Sequence, residues 1–150
     1  MTQTIDLINH PPHYSGTRWE SIEVIESLGN QFRLGNALKY LARQARKNGI
    51  EDVRKALWYV EREAASEPDG PSKQSVFDEA FFRDHVEGVG PSALAENFGI
   101  SDPDLSWALH AVALACGRAF EQDFAGWRHC VGWASQLLHS YIRKNGAPRD

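Results

Sequence analysis

The chain has 150 residues, 42% hydrophobic and 24% charged, which is long enough for a proper core and describes a soluble globular protein. Its apolar runs are only a few residues long, which excludes a membrane-spanning helix, and its two cysteines, Cys116 and Cys130, are too few for a disulfide framework or a thiol zinc site. Net charge is −4, yet the stretch from Arg33 to Lys55 holds seven basic residues against two acidic ones, a local +5 that leaves −9 elsewhere. A concentrated positive field on an acidic chain points to a small anionic ligand or a local contact, and away from a protein coated in nucleic acid.

The first nine residues carry no basic group and no apolar segment of leader length, so a reducing cytoplasm is the expected location. Asn9-His10-Pro11-Pro12-His13-Tyr14-Ser15-Gly16 is set against helix by its prolines and glycine and predicts an extended, polyproline-like segment. A helix is predicted from about Trp19 to Leu28, with Ile22, Ile25 and Leu28 on one face. The next runs from about Leu34 to Asn48, burying Leu34, Leu38, Leu41 and Ala45, and Asn48-Gly49 ends it. A third, from about Glu51 to Ala65, buries Val53, Ala56, Leu57, Val60 and Ala64, and opens with two acids at the positive end of its dipole. The short break between the last two predicts an antiparallel hairpin.

Residues 67–75 (EPDGPSKQS) read as a linker between a first region, 1–66, and a second, 76–150. Helices are predicted beyond it near Val76–Val86, Pro91–Asn97, Asp104–Phe120 and Phe124–Lys144. With no sustained period-two alternation anywhere, the fold class is all-α, a bundle of antiparallel helical hairpins. Laying Ala37-Leu38-Lys39 on Ala108-Leu109-His110 also lays Asp52 on Asp123, which raises a degenerate repeat. Arg43, Lys47, Lys55 and Arg62 then meet Leu114, Arg118, Gly126 and Trp133, so a second copy would be structural. Trp107, Trp127 and Trp133, with Phe120 and Phe124, read as core or subunit interface, and homo-oligomerisation is expected.

No glycine-rich phosphate loop or dinucleotide fingerprint is present, so any phosphate must be held by side chains. Lys39, Arg43 and Lys47 form a ridge at four-residue spacing. Lys55 and Arg62 lie on the partner helix with Tyr59 between them, and Tyr40 and Tyr59 are placed either to stack on a base or to fill the hairpin seam. A solvated basic face would carry the same charges. His13 suits proton transfer near neutral pH. Glu20 and Glu23, with Glu26 on the same helix, have a spacing that suits Mg²⁺, although a solvated acidic face would look alike.

Asn9-x-Pro11-Pro12-His13-Tyr14, Glu20-x-Ile22-Glu23-Val24-Ile25, Leu34-Gly35-Asn36-Ala37-x-Lys39-Tyr40-x-x-Arg43 and Asp52-x-x-Lys55-Ala56-x-x-Tyr59 together resemble the SaV-like family of small phage proteins. That family is catalogued as of unknown function, with one branch described as a nucleotide kinase that lacks a P-loop. The resemblance covers about residues 8–65 and marks His13, Tyr14, Asn36, Lys39, Tyr40, Arg43, Asp52, Lys55 and Tyr59 as characteristic. With the residues above, the leading expectation is a phage-type nucleotide-binding protein that transfers phosphate to a deoxynucleoside monophosphate, with Lys39, Arg43 and Lys55 clamping phosphates, His13 or Asp52 assisting the acceptor and Glu20 or Glu23 holding Mg²⁺. Two other readings stand beside it. One is a helical Mg²⁺-dependent nucleoside-triphosphate pyrophosphohydrolase, for which Glu20-Ser21-Ile22-Glu23 supplies an ExxE but no ExxD follows. The other is a non-enzymatic factor that binds a host protein or sequesters a nucleotide.

Overall fold

Asp102 and Asp123 show how this sequence starts its long helices. Their carboxylates accept the N–H of Leu105 at 3.1 Å and of Gly126 at 2.9 Å, satisfying donors that a helix start leaves open. The computed structural model describes residues 18–66 and 77–146. Its elements are α1 (Ser21–Ser27), α2 (Phe32–Arg43), α3 (Ile50–Ala64), α4 (Glu79–Phe82), which continues into a π-helical turn at Arg83–Glu87, α5 (Ser92–Phe98), α6 (Pro103–Phe120) and α7 (Phe124–Asn145). The fold is all-α, with no strand among the described residues. The expected linker at residues 67–75 and the segment around His13 and Tyr14 lie outside the described residues.

Two hairpins make the bundle. Arg33 at the start of α2 meets Glu63 at the end of α3, while Arg43 at the end of α2 meets Asp52 at the start of α3, so the pair is antiparallel. In the second pair Asp104, opening α6, accepts from Ser140 Oγ and Lys144 Nζ near the end of α7, each at 3.2 Å. The hairpins then close on one another, α2 packing on α6 and α3 on α7. Leu34, Leu38, Leu41, Val53, Ala56 and Val60 are buried at this junction with Leu109, Val112, Trp127 and Val131. Burial of each large aliphatic side chain contributes roughly 1.5–3 kcal/mol.

α6 is the central element and is buried on almost every side, including Ala108, Ala111, Ala113, Ala115 and Ala119. Small residues here let its neighbours come close. Cys116 and Cys130 are buried free thiols, as the sequence predicts, and burial pushes both up from the ordinary thiol range. The chain entering α1 is tied to α5 by a reciprocal pair: Trp19 N–H donates to Asn97 Oδ1 and Asn97 Nδ2 donates to the Trp19 carbonyl, both at 2.9 Å.

Several boundaries differ from expectation. α2 ends at Arg43, not Asn48, and Ala45 is exposed. The cause is Asp52: its carboxylate accepts both the Arg43 guanidinium and the Asn48 N–H, and so draws residues 44–49 out of the helix into turns. Gly49, with φ of +53°, reverses the chain at little steric cost. Ala64 is exposed at the end of α3. In α1 the buried face is Ser21, Val24 and Leu28, while Ile25 is half-buried and Ile22 is 51% exposed. α1 makes its main helix contact with α2, and this narrow packing covers only one face of it.

Candidate functional site

Lys39 and Arg43 stand one turn apart on α2, and Lys55 and Tyr59 one turn apart on α3. The antiparallel packing folds all four around Tyr40. Lys39 Nζ lies 4.7 Å from the Tyr40 ring centroid, Arg43 Cζ 4.6 Å and Lys55 Nζ 5.4 Å, while the Tyr59 ring stacks on Tyr40 at 6.0 Å with 17° between planes. Three cations on one aromatic ring gain from its quadrupole, by about 0.5–2 kcal/mol each, but they also repel one another. A negative group placed among them relieves that repulsion.

Only Arg43 is neutralised from within. Its Nε and Nη2 reach Asp52 at 3.3 and 3.1 Å, with Asp52 fully buried and Arg43 8% exposed. The pair holds the guanidinium beside Tyr40 rather than leaving it to swing into solvent. Lys39 and Lys55 have no acidic partner within ion-pair distance among the described residues; Lys39 is half-buried and Lys55 exposed. Two uncompensated ammonium groups therefore face outward over a ring whose third cation is fixed.

A groove of about 290 Å³ runs between α1 and the start of α2 and ends at the same Lys39. Ile22, Ile25 and Phe32 wall it, and Asn30, Gln31 and Asn36 add amides. Gly35 lies on its floor, where a Cβ would come within 3.0 Å of Ile25 Cγ2. Phe32 is 76% exposed and sets its ring edge-on to Tyr59 at 6.2 Å, so groove and cation cluster share a wall. A larger concavity, about 430 Å³, lies on α7 and is lined by Arg128, His129, Gly132, Trp133 and Gln136.

Of the sequence-predicted residues, Lys39, Tyr40, Arg43, Asp52, Lys55 and Tyr59 come together, and Asn36 borders the groove with its Nδ2 donating to the Phe32 carbonyl at 2.7 Å. Lys47 stands exposed in the turn after α2, and Arg62 lies 5.1 Å over the Trp58 ring rather than joining the cluster. Asp52 is sealed from solvent beneath Arg43, which gives it a positioning geometry. Glu20 and Glu23 form a capping box at the start of α1, Glu23 Oε1 accepting the Glu20 N–H at 3.0 Å. That geometry serves the helix start, and no three His, Cys, Asp or Glu side chains gather as metal ligands among the described residues.

Sequence reasoning missed Phe32 and the buried Glu63. Glu63 accepts from Arg33 Nε at 2.7 Å and from Trp127 Nε1 at 3.0 Å, joining the two hairpins. Phe32 was legible as an apolar residue just outside the buried stripe. Glu63 carried no signal, because its partners lie thirty and sixty-four positions away.

Residues 8–61 match the model of the family described as Protein of unknown function (DUF3310), a stretch that takes in α1, α2 and most of α3 and hence the whole cation cluster. No curated protein and no solved structure matches the chain.

Proposed function

We propose that the Tyr40 cluster binds the phosphate of a nucleotide, in a phage-type nucleotide-binding protein that holds phosphate by side chains instead of a glycine-rich loop. The observation that carries this reading is the convergence of Lys39, Arg43 and Lys55 on one ring with only Arg43 paired internally. Arg43, held by Asp52, supplies a preorganised charge, and Lys39 and Lys55 close on the anion from two helices. Phosphoryl transfer asks mainly for such neutralisation and alignment, so the site also suits transfer to a deoxynucleoside monophosphate, an activity of the kind described for one branch of the SaV-like family that the sequence resembles.

Calorimetric titration with nucleotides tests the binding. Each charge-assisted contact contributes roughly 1.5–3 kcal/mol, so Lys39→Ala and Lys55→Ala should each weaken binding about tenfold or more with helicity unchanged. Equal affinities in wild type and both variants would overturn the reading. Incubation with ATP, Mg²⁺ and monophosphates, resolved by chromatography, separates its forms: new diphosphates mean kinase, pyrophosphate release means hydrolase, and binding without turnover means sequestration.

A second reading, an interaction module, draws on Trp58 at 55% and Trp107 at 40% exposure, which are apolar surfaces that a partner or a second copy would cover.

A further inference from the structure

We infer that the Tyr40 cluster takes the phosphodiester of a single-stranded nucleic acid, with the bases on its two sides stacking on Phe32 and Trp58, an inference that rests on the phosphate reading of that cluster. Phe32 is 76% exposed and Trp58 55%, and the two rings come from different helices. Both meet Tyr59 edge-on, Phe32 at 6.2 Å with 74° between planes and Trp58 at 4.9 Å with 87°. Tyr59 in turn stacks on Tyr40, the ring that carries Lys39, Arg43 and Lys55. One set of cations thus adjoins two open aromatic rings. A base stacks on such a ring whatever its identity, because every base has a π-face.

The cations also reach further than one phosphate. Lys55, Trp58 and Arg62 share the exposed side of α3 at i, i+3 and i+7, and the Arg62 guanidinium lies 5.1 Å over the Trp58 ring. Along the helix axis Lys55 and Arg62 are about 10 Å apart. Neither has an acidic partner within ion-pair distance among the described residues. The exposed acids of α3 are engaged elsewhere, Glu51 on Arg54 at 2.9 Å and Glu61 beside His139 at 3.7 Å. A nucleoside triphosphate supplies several phosphates but a single base, and leaves one of the two rings bare. A strand supplies phosphates and bases in alternation, which matches the alternation of cations and rings. The net charge of −4 limits the contact to a short stretch, since strand beyond the patch meets an acidic protein.

Calorimetric titration of the full chain with a dT strand of about eight nucleotides, a GC-rich duplex, dTMP and inorganic pyrophosphate tests this. The expected result is that the strand binds at least about tenfold tighter than dTMP, the size of one added stacking contact, and tighter than the duplex, whose bases are stacked on one another. Phe32→Ala and Trp58→Ala should each weaken the strand about tenfold, with helicity and pyrophosphate affinity unchanged. A strand no tighter than dTMP, a duplex that binds as well as the strand, or strand affinity that survives both substitutions overturns the inference. The phosphate reading outlives each of these results when pyrophosphate binds and Lys39→Ala weakens it. If strand, dTMP and pyrophosphate all fail to bind, both readings fall together.

Discussion

The α2–α3 and α6–α7 hairpins share an antiparallel plan and a short turn, but they fill their interiors with different chemistry. The first buries Arg43, Asp52 and Glu63; among the described residues the second buries His110 and otherwise apolar and small side chains. A buried ion pair is a poor source of net stability, since desolvation offsets much of the attraction, whereas a packed apolar helix pair needs no such compensation. The contrast teaches where precision is needed. The first hairpin fixes the place of one guanidinium, and the second supplies mass and shape against which that hairpin rests, through Trp127 on Glu63 and Gln31 on the Cys116 carbonyl.

The sharpest way to break this comparison is Asp52→Ala. It strands Arg43 in a buried position and removes the acceptor for the Asn48 N–H, so destabilisation of about 3–5 kcal/mol is expected, read by denaturant unfolding. Arg43→Ala strands Asp52 in the same way and is for that reason a poor probe of ligand binding. A loss under about 1 kcal/mol for Asp52→Ala would mean that the pair is dispensable and that the two hairpins do not differ as argued.

The second hairpin should fail by crowding instead. A Cβ at Gly117 would fall inside the Phe82 ring, which is 5% exposed and has little room to retreat. Gly117→Ala is expected to cost about 1–3 kcal/mol, despite alanine's better helix propensity, with a lowered Tm as the measurement.

How much of this was legible beforehand differs between the two levels. The stripes Leu34-Leu38-Leu41 and Val53-Ala56-Val60 specify their helices because helical period and burial agree, and the four-residue spacing of Lys39, Arg43, Lys55 and Tyr59 correctly places them together across a hairpin. What spacing could not show was rank within that cluster. Arg43 and Asp52 look like two more surface charges until the turn at 44–49 brings them face to face and seals them. The groove was hidden for a similar reason: Ile22 and Ile25 read as core, and only the narrow contact of α1 with α2 leaves them as walls.

His110 is the exception inside the apolar hairpin and makes a smaller test. Its Nδ1 has no hydrogen-bond partner among the described residues, and burial pulls the imidazole below its ordinary value of 6.5. The unfolded chain then takes up a proton near pH 6.5 that the folded chain still refuses. Stability is therefore full above 6.5 and falls as pH drops from there towards the depressed folded value. His110→Leu should flatten that slope and add on the order of 1 kcal/mol by removing an unsatisfied buried polar atom. Unfolding curves of the two proteins across pH 5 to 8 give the difference directly, and parallel pH profiles would show that His110 finds a partner or opens to solvent.

The smallest expected effect has the opposite sign to Gly117→Ala. Gly132 lies inside α7, is exposed, and would meet nothing within 4 Å if given a Cβ. Gly132→Ala therefore gains helix propensity without crowding, about 0.5–1 kcal/mol, or a Tm rise of about 1–4 °C for a chain of this size. Its value lies in what a wrong sign would mean. Gly132 borders the concavity beside Trp133, whose ring lies 5.5 Å from that of the exposed Trp107. If Gly132→Ala lowers Tm, the added methyl has met something that covers this face, and sedimentation of wild type and variant side by side identifies a second copy as that cover when the variant alone shifts towards 16.8 kDa. A plain gain in stability with unchanged sedimentation leaves α7 as an open surface and the first hairpin as the place where binding is to be sought.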